Sequence, residues 1–142
     1  MRERSRGRTF LLQCRYASQL NGEDILSSLD ALGISERTDA TTRSWVTRLA
    51  ELTDFHRDEI DHEIERVLLN WSLERLNVLS RLIIEQAIAE CRYMDTPKPV
   101  SIDEAVKLAR DFEGEEAAAF VNGVLDRILF PAAEAGNDGR AP

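Results

Sequence analysis

At 142 residues, with 18 basic and 26 acidic side chains and a formal charge of −8, the chain is long enough for one domain with its own core and too acidic to coat nucleic acid over its whole surface. Its uncharged runs fall well short of the roughly 20 apolar residues of a membrane span. Its arginine-rich start lacks the apolar stretch of a secretion signal, which predicts a soluble cytoplasmic protein. Cys14 and Cys91 are too few and too isolated for a metal cage; lying in apolar helical patterns, they are expected as buried free thiols.

Charge is unevenly spread along the chain. Residues 1–20 hold Arg2, Arg4, Arg6, Arg8 and Arg15 against Glu3, whereas the remainder holds 13 basic and 25 acidic residues. A basic arm on an acidic body points to a local anion site. The arm passes into a helical pattern through Phe10, Leu11, Cys14, Ala17 and Leu20, and the spacing of Arg8 and Arg15 puts them on one face with Arg4. Arginine and tyrosine together suit single-stranded RNA, because guanidinium groups pair with phosphates while rings and guanidinium planes stack on unpaired bases. A frayed, solvated terminus without a ligand is the competing reading of the same residues.

Asn21 and Gly22 break the first helix, and Ile25, Leu26, Leu29 and Leu32 mark a short second one stopped at Gly33. Residues 34–42 read as a polar loop in which Asp39 or Thr41 caps the next helix. Trp45, Val46, Leu49 and Leu52 then form one stripe, and Ile60, Ile64, Val67 and Leu68 another, with a break expected between Thr53 and Asp58. Glu59 and His62 have the Glu-x-x-His spacing of di-iron bundles, but such bundles need the motif twice plus further inward glutamates. Ile60 and Ile64 already define the buried face, so Glu59 and His62 are expected toward solvent. Ser72 is placed to cap a short turn after Trp71, and Asn77 to cap a long helix. There, Val78, Leu79, Leu82, Ile83, Ile84, Ala87, Ile88 and Cys91 spread around more than one face, as in a central helix packed on both sides.

The stretch from Pro97 to Ile128 reads as two helices joined at Gly114. Ser101 and Glu104 have capping-box spacing, so the first is expected to start near Ser101, with Ile102, Ala105, Val106, Ala109 and Phe112 inward. The second carries Ala117, Phe120, Val121, Val124, Leu125 and Ile128 as its apolar stripe. Asn122 and Gly123 do not follow from helix-making, since glycine costs roughly 1 kcal/mol inside a helix. A close helix crossing would explain Gly123, and Asn122 would then bond a neighbouring backbone. Residues 131–142 have no stripe and are expected to be a disordered tail. No Gly-rich phosphate loop, Cys/His metal spacing or nucleophile–base set is present, so neither an enzyme nor a metal or cofactor is expected.

Pro97, Ile102, Asp103, Glu104, Ala105, Phe120, Val121, Asn122, Gly123, Leu125 and Asp126 fill a pattern that resembles the C-terminal signature of the bacterial transcription antitermination factor NusB family. RSRGRTFLLQCRY at the start is similar to that family's arginine-rich motif, with Ser5 at an often basic place and Gly7 at a usual alanine, which implies an arm that is less helical when free. The resemblance implies an all-α fold, a NusB-like bundle of about seven helices in two small subdomains, forming one RNA-binding domain over residues 1–130. It further implies that the protein binds the boxA element of nascent ribosomal RNA together with a small ribosomal subunit protein, and so helps RNA polymerase complete ribosomal RNA operons.

By motif position Arg4, Arg6 and Arg8 would contact phosphate, Gln13 and Tyr16 base or sugar, and Phe120 the RNA path, with acidic Glu116 close by. Ala119 stands where the family often has a basic residue, so one phosphate contact is missing. The ribosomal protein would dock on part of residues 72–93. Two other readings remain: a free-standing adaptor for proteins only, with homodimerisation as one form of it, and an RNA-binding module akin to the N-terminal domain of ribosomal RNA cytosine methyltransferases.

Overall fold

A computed structural model describes residues 2–68 and 73–131, and the expectations for Trp71, Ser72 and residues 132–142 lie outside them. The described residues form eight α-helices and one 3-10 turn: α1 (Arg2–Asn21), α2 (Ile25–Ala31), α3 (Ile34–Arg37), α4 (Ala40–Phe55), α5 (Arg57–Val67), the turn Leu73–Arg75, α6 (Val78–Tyr93), α7 (Lys98–Glu113) and α8 (Glu115–Leu129). The count exceeds the expected seven because a short helix, α3, sits inside the stretch expected to be loop. Buried Ile34 anchors it to the core.

Local chemistry accounts for the helix starts. The Asp24 carboxylate accepts the Ser27 N–H, Asp39 accepts the Thr42 N–H, and Asn77 accepts from both Leu79 and Ser80, so each takes up backbone donors that a helix start leaves orphaned. Between α4 and α5 the break falls at His56. Gly114 ends α7 and begins α8 at φ +99°, a conformation that glycine adopts without strain.

One part of the expected pattern is overturned at α7. The helix starts at Lys98, with Pro99 in its first turn, rather than at Ser101. Ser101 is therefore buried inside the helix, its Oγ without a partner among the described residues, and Glu104 turns instead toward α1. Phe112 points outward while Leu108 takes the inner place.

Helix α6 is the spine. Every residue from Leu82 to Glu90 is buried, and α1, α4, α5, α7 and α8 all pack on it. Helices α7 and α8 form a hairpin on one side, while α1 to α4 pack together on the other. The buried set includes Leu11, Leu12, Leu49, Ile60, Ile64, Ile83, Ile84, Ile88, Leu125 and Ile128, one continuous core. Cys14 is buried and Cys91 half-buried; both are free thiols. Burial pushes the Cys14 thiol up to about 11. Glu59 and His62 are exposed, as the positions of Ile60 and Ile64 require.

Candidate nucleic-acid interface

Helix α1 carries the basic residues, and its register sorts them. At 3.6 residues per turn Arg8 and Arg15 fall on one line, and that line faces α6. Arg8 is 3% exposed. Its Nε donates to the Glu90 carboxylate at 2.9 and 3.1 Å, its Nη2 also bonds Glu90, and its Nη1 lies 3.4 Å from Glu104. Thr96 Oγ1 donates to Glu90 as well, at 2.9 Å, and Gln86 Nε2 donates to the Arg8 carbonyl. Arg15, 4% exposed, donates to the Leu82 carbonyl and to Glu85, both at 2.6 Å. Because Arg8 meets Glu90 while Arg15 meets Leu82 and Glu85, α1 and α6 run antiparallel.

Two charges buried this deeply require partners, since an unpaired ion in the interior is very costly. Burial lowers the Arg15 pKa and the Glu85 charge opposes that shift. Burial also works against the Glu85 carboxylate, but a hydrogen bond from Asp61 and the charges of Arg15, Arg57 and Arg81 outweigh it and hold its pKa below the usual range. Asp61 pays the complementary cost: burial and the neighbouring Glu85 push its pKa up to about 7 despite Arg81 3.0 Å away.

The expectation that Arg8 contacts phosphate is thus corrected. Its guanidinium is consumed inside the protein, where it fastens α1 to α6 and, through Glu104, to α7. Ser5 adds to the same clasp by donating to Glu104 at 3.0 Å.

Arg4 and Arg6 remain exposed. The Arg4 guanidinium lies 5.0 Å from the Trp45 ring centre, and that of Arg8 lies at the same distance from the same ring. Arg6, Gln13 and Tyr16 occupy one outward stripe, at spacings of seven and three residues, with Tyr16 37% exposed. Gly7 explains how α1 approaches α4 so closely: a Cβ there would sit 2.8 Å from Val46 Cγ2 and 3.3 Å from Thr42 Cγ2.

Glu116 and Phe120 lie elsewhere. With Leu76, Asn77, Ser80 and Glu113 they line an open groove of about 620 Å3 beside the N-terminal end of α6. Ser80 is ten residues from Glu90, so that groove sits on the order of 15 Å along α6 from the Arg8 clasp. Phe120 is 38% exposed, off the core stripe that Ala118, Val121, Leu125 and Leu129 complete. Asn122 and Gly123 are exposed too, and a Cβ at Gly123 would meet nothing within 4 Å. The expected helix crossing at Gly123 and backbone bond from Asn122 are therefore both overturned.

The NusB family pattern matches residues 5–130. The chain is a member of the NusB family. The transcription antitermination protein NusB of Myxococcus xanthus is 39% identical over 126 residues, which cover 88% of this chain and 90% of that one. Among solved structures, T. maritima NusB superposes with a TM-score of 0.84 at 30% identity, covering 90% of this chain and 91% of the other. A structure of the antitermination factors NusB and NusE with double-stranded RNA superposes at 0.75, with 26% identity and coverage of 89% and 94%.

Within this NusB-family chain, sequence reasoning missed the acidic half of the clasp. Glu85 and Glu90 sit in the stretch of α6 that is buried all round, where isolated carboxylates are rarely found unless paired. That α6 is apolar on several faces was the available signal: carboxylates on it had no wet face to occupy.

Proposed function

We propose that this chain is a transcription antitermination factor that binds boxA-type single-stranded RNA of ribosomal RNA operons together with a small ribosomal subunit protein, and that it does so in the cytoplasm, without catalysis and without a cofactor. The observation that carries the reading is the stripe of Arg6, Gln13 and Tyr16 on a helix clamped at two points by buried ion pairs. A cation, an amide and an aromatic ring in fixed register offer a phosphate contact, a hydrogen-bonding edge and a stacking surface. Holding them on a rigid helix lowers the ordering cost of binding. Arg4, held over Trp45, adds a second phosphate ligand. Glu116 and Phe120 form a second contact point for a strand long enough to reach the far end of α6, where the ring stacks and the carboxylate repels phosphate on one side.

Few cations remain after Arg8 and Arg15 are consumed, so affinity for RNA alone is modest and strongly salt-dependent. A ribosomal protein bound to the same RNA raises the effective concentration of the second contact.

The test is binding of a boxA-like single strand, a scrambled strand and a boxA duplex across a salt series, with and without the ribosomal partner. Preference for the boxA single strand that grows with the partner and falls with salt is the expected result. Equal, negligible binding to every RNA, even with the partner present, overturns the proposal in favour of a protein-only adaptor.

A further inference from the structure

The outer side of α1 faces a second wall that the arm motif does not include. Between α1 and the α3–α4 junction lies a groove of about 430 Å3 whose lining includes Arg6, Phe10, Gln13, Arg37, Thr38 and Asp39. Arg37 ends α3, and its guanidinium lies 5.2 Å from the centre of the Phe10 ring. Phe10 is buried beneath it, whereas Arg37 is exposed, so the guanidinium lies over the ring with its outer side accessible. Among the described residues neither Arg6 nor Arg37 has a carboxylate within 4 Å, in contrast to Arg8 and Arg15. The Asp39 carboxylate, which lines the same groove, is engaged with the Thr42 N–H as the cap of α4, a bond that lowers its pKa. The wall itself is braced: Arg43 Nη2 donates to the carbonyls of Ser35 and Thr38 at 3.1 and 3.0 Å.

We propose that this groove holds one unpaired nucleotide of the bound RNA strand, its base stacked on the open face of Arg37, its edge read by Gln13 and its phosphate shared by Arg6 and Arg37. A guanidinium fixed on an aromatic ring is a flat cationic platform, and such planes stack on splayed bases. The volume is that of a small-ligand site and suits a single nucleotide. Glu3 at the same groove weakens the phosphate contact, which sets an upper limit on affinity. The inference rests on the RNA-binding reading above and adds Arg37, from a separate helix, to it.

The experiment uses the full chain with its ribosomal partner and a short boxA-like single strand. Arg37→Ala is expected to weaken binding about tenfold and to lower the salt slope by about one. Arg37→Lys keeps the charge but not the plane; it is expected to restore the slope while leaving affinity several-fold low. Glu3→Gln is expected to tighten binding. Arg37→Ala that lowers the melting temperature by uncovering Phe10, yet leaves RNA affinity and salt slope unchanged, overturns the inference; joint replacement of Arg4 and Arg6 then still abolishes binding and leaves the RNA function standing. A parent chain that binds no RNA even with the partner overturns both.

Discussion

Two pairs of arginines on α1, alike in residue type and only a few positions apart, have opposite fates. Arg8 and Arg15 face α6 and are spent on Glu90 and Glu85, while Arg6 faces solvent and Arg4 lies exposed over Trp45, whose ring it shares with Arg8. Arg6 differs from the buried pair in helical phase, whereas Arg4 shares their phase and lies one turn nearer the start of α1. A basic arm is therefore not a count of available cations, because the partner helix decides which of them are internal ties and which are ligands.

The largest effect separating the two pairs is on stability. Glu90→Ala leaves the Arg8 guanidinium buried without its main partner, and removing one member of such a pair costs about 3–5 kcal/mol. In urea unfolding Arg6→Ala, by contrast, is expected to change stability by less than about 0.5 kcal/mol, as surface substitutions usually do. The joint replacement Arg8→Met with Glu90→Leu is expected to recover most of the loss, because a well-packed apolar pair substitutes for a buried ion pair. A Glu90→Ala protein as stable as the parent removes the contrast altogether.

A second measurement probes how tightly α1 is pressed against α4. Gly7→Ala gains about 1 kcal/mol in helix propensity. It also drives a methyl group to 2.8 Å from Val46 Cγ2, and overpacking of that kind costs about 1–3 kcal/mol. The expected sum is a lower melting temperature, reversed when Val46→Ala makes room. A higher melting temperature for Gly7→Ala alone contradicts the close crossing. In the sequence Gly7 stands out only as a departure from a usual alanine; the neighbour that justifies glycine there is 39 residues away in the chain.

The same reason separates what was readable in the sequence from what was not. Helix identity and the caps at Asp39 and Asn77 follow from local periodicity and short-range hydrogen bonding, and the structure has them. The central role of α6 was readable because apolar residues run around more than one of its faces. What was not readable depends on phase across helices. Arg8 looked like a ligand because its partner Glu90 is 82 residues away, and Ser101 looked like a cap because of its spacing from Glu104, whereas Pro97 and Pro99 start the helix a turn earlier. Phe120, Asn122 and Gly123 fell on the wrong side of the core boundary because the α8 stripe is completed by Ala118 and Leu129 rather than by Phe120.

The smallest effect is the most informative about where RNA runs. Glu116 lies in the first turn of α8, where a carboxylate is favoured by the helix dipole by about 0.3–1 kcal/mol, and it shares its groove with Glu113 and Phe120. Glu116→Gln is thus expected to cost a few tenths of a kcal/mol in stability. If the strand passes Phe120, the same change removes a phosphate-repelling charge and tightens RNA binding by about two- to fivefold at low ionic strength, a gain that shrinks as salt screens exposed charges. The two readouts move in opposite directions, so a general change in folding cannot imitate the result. RNA affinity that is unchanged at low salt confines the interface to α1 and the α3–α4 junction, and the solvent-facing Phe120, Asn122 and Gly123 then belong to a different contact.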